Sequence, residues 1–137
     1  MTDDPLARSR AFWLQAANFP ADKENVYPEH AAAQEFDLHT DKDVLEYGCG
    51  GGSDALSFLR RGNRVCAFDI VPGNIMRTIE RVEKARFLDS LQTFRGELSA
   101  PLPYPDKKFD VVSAHGVLHH IQDPEPVVRE FYRILKP

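Results

Sequence analysis

Four of the chain's glycines fall within five residues, in the segment Glu46-Tyr47-Gly48-Cys49-Gly50-Gly51-Gly52-Ser53. The apolar run Val44-Leu45-Glu46-Tyr47 precedes the first of them and reads as a buried strand entering a tight turn. Ser53 suits a helix N-cap, Leu56 and Leu59 give helical spacing, and Gly62 suits the residue just past the helix end. Residues without a Cβ at this point let the backbone bend sharply and let a ligand approach it, beside the unpaired N–H groups of the new helix.

The rest of the chain continues the alternation. Arg64 to Asp69 reads as a second strand, and Ile75, Ile79 and Val82 mark a helix at i, i+4, i+7. A weaker third strand lies near Gln92 to Gly96, followed by a Pro-rich loop, Pro101–Asp106, and a clear fourth strand, Phe109 to Ala114. Asp123 caps a last helix with Pro124 at its first position and Val127, Phe131 and Leu135 as its buried stripe. Strands alternating with helices predict an α/β fold, a parallel sheet with right-handed crossovers and helices on both faces. Residues 41–137 form that domain. Residues 1–40 read as a helical preface: a first helix carrying Leu6, Phe12 and Trp13, a polar loop from Asn18 to Pro28, and a short helix from about Glu29 to Phe36.

Glycines alone fit any nucleotide site of this geometry; two carboxylates sharpen the reading. Asp69 ends the second strand, where a carboxylate accepts hydrogen bonds from both hydroxyls of a ribose. Glu46 sits two residues before the first glycine. There it would repel a pyrophosphate and attract a ligand that carries a cation, such as an amino-acid ammonium.

The pattern Glu46-x-Gly48-x-Gly50-x-Gly52 resembles the first motif of class I S-adenosylmethionine-dependent methyltransferases. Leu102-Pro103-Tyr104-Pro105-Asp106 with Phe109-Asp110-Val111-Val112, then Val117-Leu118-His119-His120, then Arg133-Ile134-Leu135-Lys136-Pro137 resemble its small-molecule branch, type 11, over about residues 43–137. The resemblance implies a Rossmann-like methyltransferase fold with S-adenosylmethionine as methyl donor and S-adenosylhomocysteine as product. By position it implies that Gly48, Gly50 and Gly52 shape the loop under the methionine and ribose parts. Glu46 would orient the ammonium through water, Asp69 would hold the ribose, and Ile70 would pack on the adenine. Glu97 would meet the adenine amino group, Leu98 would line the same pocket, and His115 matches a position near the sulfonium. The family's sheet order is 3-2-1-4-5-7-6, so these residues supply strands 3-2-1-4 and the later strands are absent. The exposed edge of strand four is then expected to pair with another copy, unless the chain is a truncated product.

Methyl transfer from a sulfonium needs alignment and exclusion of water more than acid–base help. His115, His119 and His120 are candidates for a base toward a nitrogen or oxygen acceptor, with a structural role the simpler reading for the last two, and no catalytic residue is assigned. Phe12, Trp13 and Tyr27 are read as packing of the preface against the sheet, with a lid over the cofactor or the lining of an acceptor pocket as the alternatives. His30 and His39 are expected at the surface, and no Cys/His cluster has metal-ligand spacing.

Composition closes off other classes. A net charge of −4 without a basic patch gives no reason to expect a nucleic acid partner. No apolar stretch reaches the length of a membrane span, the start MTDDPLARSR lacks a signal peptide's apolar run, and Cys49 and Cys66 read as free core thiols. A cytoplasmic enzyme with a small-molecule acceptor is the expectation. Two readings compete with it: a non-catalytic or truncated module that keeps the donor site, and an NAD-dependent oxidoreductase. The latter's fingerprint wants glycine where Ser53 stands and tolerates Glu46 poorly.

Overall fold

The computed structural model describes residues 23–97 and 101–137. Leu6, Phe12, Trp13 and Leu98 lie outside them. The described chain runs α1 (Lys23–Val26), α2 (Pro28–Gln34), β1 (Asp43–Tyr47), α3 (Ser53–Arg60), β2 (Arg64–Asp69), α4 (Pro72–Lys84), β3 (Leu91–Arg95), β4 (Val111–Ser113) and α5 (Glu125–Ile134). The sheet is parallel throughout, in the order β3-β2-β1-β4. This is the four-strand order expected of the sequence, in a Rossmann-like fold.

Alternation along the central strands sorts side chains to two faces. Leu45 and Tyr47 of β1 join Cys66 and Phe68 of β2 in one core, which α5 covers with Val127, Phe131 and Ile134. Val44 and Val65 face the other way, against Ala55, Phe58 and Leu59 of α3, Val82 of α4 and Phe36. Tyr47, Phe68 and Phe94 sit in register on three adjacent strands, and their rings stack in sequence at 4.9 and 5.9 Å between centroids. Burial on both faces explains why β1 and β2 are legible as apolar runs, whereas β3 is an edge whose last residues are exposed.

Several local expectations need correction. The N-cap of α3 is Gly52, with φ at +83°, and Ser53 is the first helical residue; its hydroxyl accepts the N–H of Lys23 at 2.9 Å rather than capping the helix. Part of the expected Asn18–Pro28 loop is helical, because Lys23–Val26 forms α1 against α3. The next helix stops at Gln34, since Glu35 turns left-handed at φ +50°, and Phe36–Leu38 is a separate 3-10 turn. β4 is shorter than Phe109–Ala114. Phe109 instead bridges Leu135, which lies beyond α5, and Ile134 takes the buried place in that helix. At the other end of α5 the N-cap is Pro124 rather than Asp123, and Glu125 is the first helical residue; Asp123 stands one position outside the cap and accepts the N–H of Glu125 at 3.3 Å.

His30 is buried, not a surface residue, because its ring bonds the buried carboxylate of Asp54 at 2.7 Å. His39 is half-buried near Phe58, with its carbonyl accepting from Asn63. Cys49 and Cys66 are free and buried as expected. No helix among the described residues is long and apolar enough to cross a membrane.

Candidate functional site

The glycine turn is held from three sides. Gly48 and Cys49 both donate their N–H groups to the carbonyl of Phe68 at the end of β2, at 2.7 and 3.0 Å. Asp69 Oδ2 accepts the N–H of Gly50 at 3.0 Å, and the Thr78 hydroxyl of α4 donates to the Gly50 carbonyl at 3.2 Å. Gly48, Gly50 and Gly52 all have positive φ, between +53° and +83°. Their surroundings differ. A Cβ on Gly48 would lie 2.3 Å from a methyl of Val117, and one on Gly52 would lie 2.8 Å from the backbone of Thr78. A Cβ on Gly50 would enter open space. The first two glycines are set by close packing, and the third exposes backbone to a cavity.

That cavity opens at the carboxyl ends of β1, β2 and β4, the edge where open α/β sheets bind ligands. Gly48 and Gly50 form one wall; Asp69 and Ile70 follow β2, and His115 follows β4. Five of the residues expected at a site therefore line one space. Gly52 and Glu46 stand behind the turn and do not line it, and Glu97 lines an adjoining cavity with Phe68, Phe94 and two prolines of the Pro-rich loop.

Asp69 is buried, and burial holds its carboxyl above the usual carboxylate range against the pull of its hydrogen bonds. Its Oδ1 accepts from Val71 N–H, and its Oδ2 accepts from both Gly50 N–H and the Asn74 amide. The backbone N–H of Ile70 bears on the same carboxylate. Glu46 is more deeply enclosed, 2% exposed, and burial raises it well above its ordinary value, with the charge of Asp54 adding to the effect. Its Oε2 has no hydrogen-bond partner among the described residues. A buried carboxyl oxygen without a donor is a costly arrangement that a cationic ligand would relieve.

His115 lies edge-on to His30, at 4.1 Å between ring centroids. His115 is exposed, and the loss of solvent on its enclosed side, then the nearby His30, lowers its proton affinity and favours the neutral ring. In the 3-10 turn Leu118–His120, His120 lines the cavity and His119 is exposed.

The family described as a methyltransferase domain matches residues 45–137. This chain belongs to that family. S-adenosylmethionine is the methyl donor that goes with it. The methyltransferase domain is similar to a ubiquinone biosynthesis O-methyltransferase of Psychrobacter cryohalolentis, 31% identical over 96 residues that make up 70% of this chain and 37% of the relative. It is also similar to the 27-O-demethylrifamycin SV methyltransferase of Amycolatopsis mediterranei, 35% identical over 95 residues, 69% of this chain and 35% of the relative. The chain thus spans little more than a third of either. Among solved structures, an S-adenosylmethionine-dependent methyltransferase from Aquifex aeolicus shares the fold with a TM-score of 0.73 at 20% identity, over 98% of this chain and 68% of that one.

Sequence reasoning missed part of the methyltransferase cavity. Tyr47, Asn74, Val117 and Lys23 line it as well. Tyr47 was readable, since it ends β1 on the side opposite Glu46, and its buried hydroxyl, without a partner among the described residues, is pushed up to about 12. Asn74 was readable as the first polar side chain of the helix after Asp69. Nothing in the sequence pointed to Lys23, because α1 itself went unread.

Proposed function

We propose that this chain binds S-adenosylmethionine in the cavity beside the glycine turn and transfers its methyl group to a hydroxyl oxygen of a small molecule. The observation that carries the reading is the convergence of Gly50, Asp69, Ile70 and His115 on one space, with the unsatisfied carboxyl of Glu46 just behind it. The residues present fit the donor. Gly50 offers backbone with room in front of it, Asp69 brings a carboxylate to the cavity wall for the ribose hydroxyls, and Ile70 supplies an apolar wall for the adenine. Glu46 answers the ammonium through water, with Gly48 and Gly52 keeping the turn close enough for that. Glu97 and Leu98 extend the adenine side, and His115 stands on the side where the methyl group is presented.

When bound, the donor supplies an activated methyl group on a good leaving group. The chain's own task is to hold donor and acceptor in line and keep water out. The acceptor class rests on the two relatives, one an O-methyltransferase by its description and the other a demethylrifamycin methyltransferase. We place the protein in the cytoplasm, with residues 41–137 as the donor-binding domain, residues 1–40 as its helical preface, and the edge of β4 as a surface for pairing with a second copy. Sedimentation as a monomer would remove that last element alone.

Calorimetric titration of the full chain with S-adenosylhomocysteine and with NAD tests the core of the reading. Binding of the first and not the second is expected. A folded chain that binds only NAD, or neither, overturns it.

A further inference from the structure

Tyr47 is a polar side chain that the fold itself leaves incomplete. It is 0% exposed, and its ring is held on two sides, stacked on Phe68 at 4.9 Å between centroids and edge-on to Phe131 at 5.1 Å. The hydroxyl at the far end of that ring has no hydrogen-bond partner among the described residues. Phenylalanine would suit such a place better, because a buried O–H without an acceptor carries a desolvation cost that the bare ring avoids. Tyr47 also lines the cavity beside the glycine turn. Burial, then the charge of Asp69, raises the proton affinity of the phenol, so it keeps its proton and can offer it to a ligand. Asn74, another polar residue of the lining, is already engaged: its amide donates to Asp69 and its carbonyl accepts from Arg77.

The surroundings of Tyr47 decide which part of a ligand would meet that donor. Tyr47 and Glu46 are neighbours on β1 and face opposite sides of the sheet, so the phenol is set apart from the acid that would answer an ammonium. On the Tyr47 side the cavity wall is Phe68, Ile70 and Val117, all apolar and all packed in or against one core. A flat ring with an unprotonated nitrogen in its plane would bury its faces there and accept the phenol proton at its edge. Adenine is such a ring, with N1, N3 and N7 as acceptors. We infer that the Tyr47 hydroxyl donates a hydrogen bond to a ring nitrogen of the bound adenine, making Tyr47 a residue that selects the base. The inference rests on the donor-binding reading above and adds the base to the parts of the donor that the chain recognises.

The test is calorimetric titration of the full chain with S-adenosylhomocysteine and with its 1-deaza, 3-deaza and 7-deaza analogues, each of which replaces one ring nitrogen by C–H. Tyr47→Phe should bind the parent compound about 10-fold more weakly than the natural sequence does. One analogue should bind the natural sequence weakly by a similar factor and lose nothing further in Tyr47→Phe, whereas the other two fall in parallel with the parent compound. A second readout needs no ligand. Tyr47→Phe should melt at the temperature of the natural sequence or above it, because the variant buries no orphaned hydroxyl; a tyrosine kept for the core alone would show the reverse. Unchanged affinity of Tyr47→Phe for S-adenosylhomocysteine, losses that add for every analogue, or a lowered melting temperature overturns the inference and leaves the donor site standing. Absence of binding by the natural sequence overturns the donor site itself.

Discussion

Asp69 accepts the backbone N–H of Gly50 at 3.0 Å, so the acid that ends β2 also fixes the turn that leaves β1. The same carboxylate gathers Val71 N–H and the Asn74 amide, which start α4. One side chain therefore ties together two crossovers of the sheet at the mouth of the cavity. Replacing it with asparagine puts an NH2 group where a carboxylate oxygen received a backbone N–H. Asp69→Asn should weaken S-adenosylhomocysteine binding about 10- to 100-fold, the worth of one charge-assisted bond. It should also loosen the turn, with amide exchange at Gly50 rising by a similar factor. Exchange that rises without any loss of affinity would assign Asp69 to the turn alone.

The two close-packed glycines should respond differently to a methyl group. Alanine at either position meets a positive φ, a cost of about 1–2 kcal/mol. At Gly48 the further obstacle is the side chain of Val117, 2.3 Å away, and Val117→Ala removes it. At Gly52 the obstacle is the Cα of Thr78, which no substitution at 78 removes. Gly48→Ala should therefore be partly rescued in thermal stability by Val117→Ala, while Thr78→Ala leaves Gly52→Ala unimproved. Equal rescue in both pairs would show that the α3–α4 contact yields more easily than its packing suggests.

Glu46 carries a penalty that should be visible in stability. Its folded-state proton affinity is raised by burial, above the 4.5 of an exposed glutamic acid. The native protein then holds a proton that the unfolded chain has lost once the pH exceeds 4.5. Stability from this group is complete below that pH and declines as pH rises toward the folded value, by about 1.4 kcal/mol per pH unit. Glu46→Gln does not titrate. The variant should match the natural sequence near pH 4.5, exceed it in denaturant unfolding at pH 7, and bind S-adenosylhomocysteine more weakly. A gap that is constant with pH would mean that Glu46 titrates as an exposed group does.

Where local pattern and tertiary packing agreed, the sequence was sufficient. β2 runs over Arg64–Asp69 as read, because both of its faces are buried and its ends are marked by Gly62 and an acid. Asp69, Ile70, Gly48, Gly50 and His115 reach one cavity because they follow strands that must align in a parallel sheet. The failures were tertiary. His30 carries no sequence mark of burial; only α2 packing over Asp54 makes it a core residue. Asp54 lies in the first turn of α3, and its bonds to His30 and Gln34 form only when α2 packs there. The turn at Gly52 misled the placement of the cap because glycine replaced the side-chain cap with a left-handed backbone.

Arg61 is the last of the long-range ties and gives a prediction of its own. Its guanidinium pairs with Glu24 of α1 and, at 2.7 Å, with Asp37 in the 3-10 turn, while it also donates to the Ser57 carbonyl of α3. One side chain thus fastens both ends of the region 23–38 to the domain. Glu24 is held below its ordinary value of 4.5, first by that bond to Arg61. Its folded value lies under its unfolded one, so its contribution is present above about pH 4.5 and lost as pH falls through the folded value. Arg61→Ala should cost about 1 kcal/mol at pH 7, since both partners of the Glu24 pair are partly open to solvent. Hydrogen exchange in residues 23–38 should rise several-fold while β1 and β2 keep their protection, and the difference from the natural sequence should shrink below pH 4. A uniform rise across the sheet would mean that this region unfolds only with the whole domain.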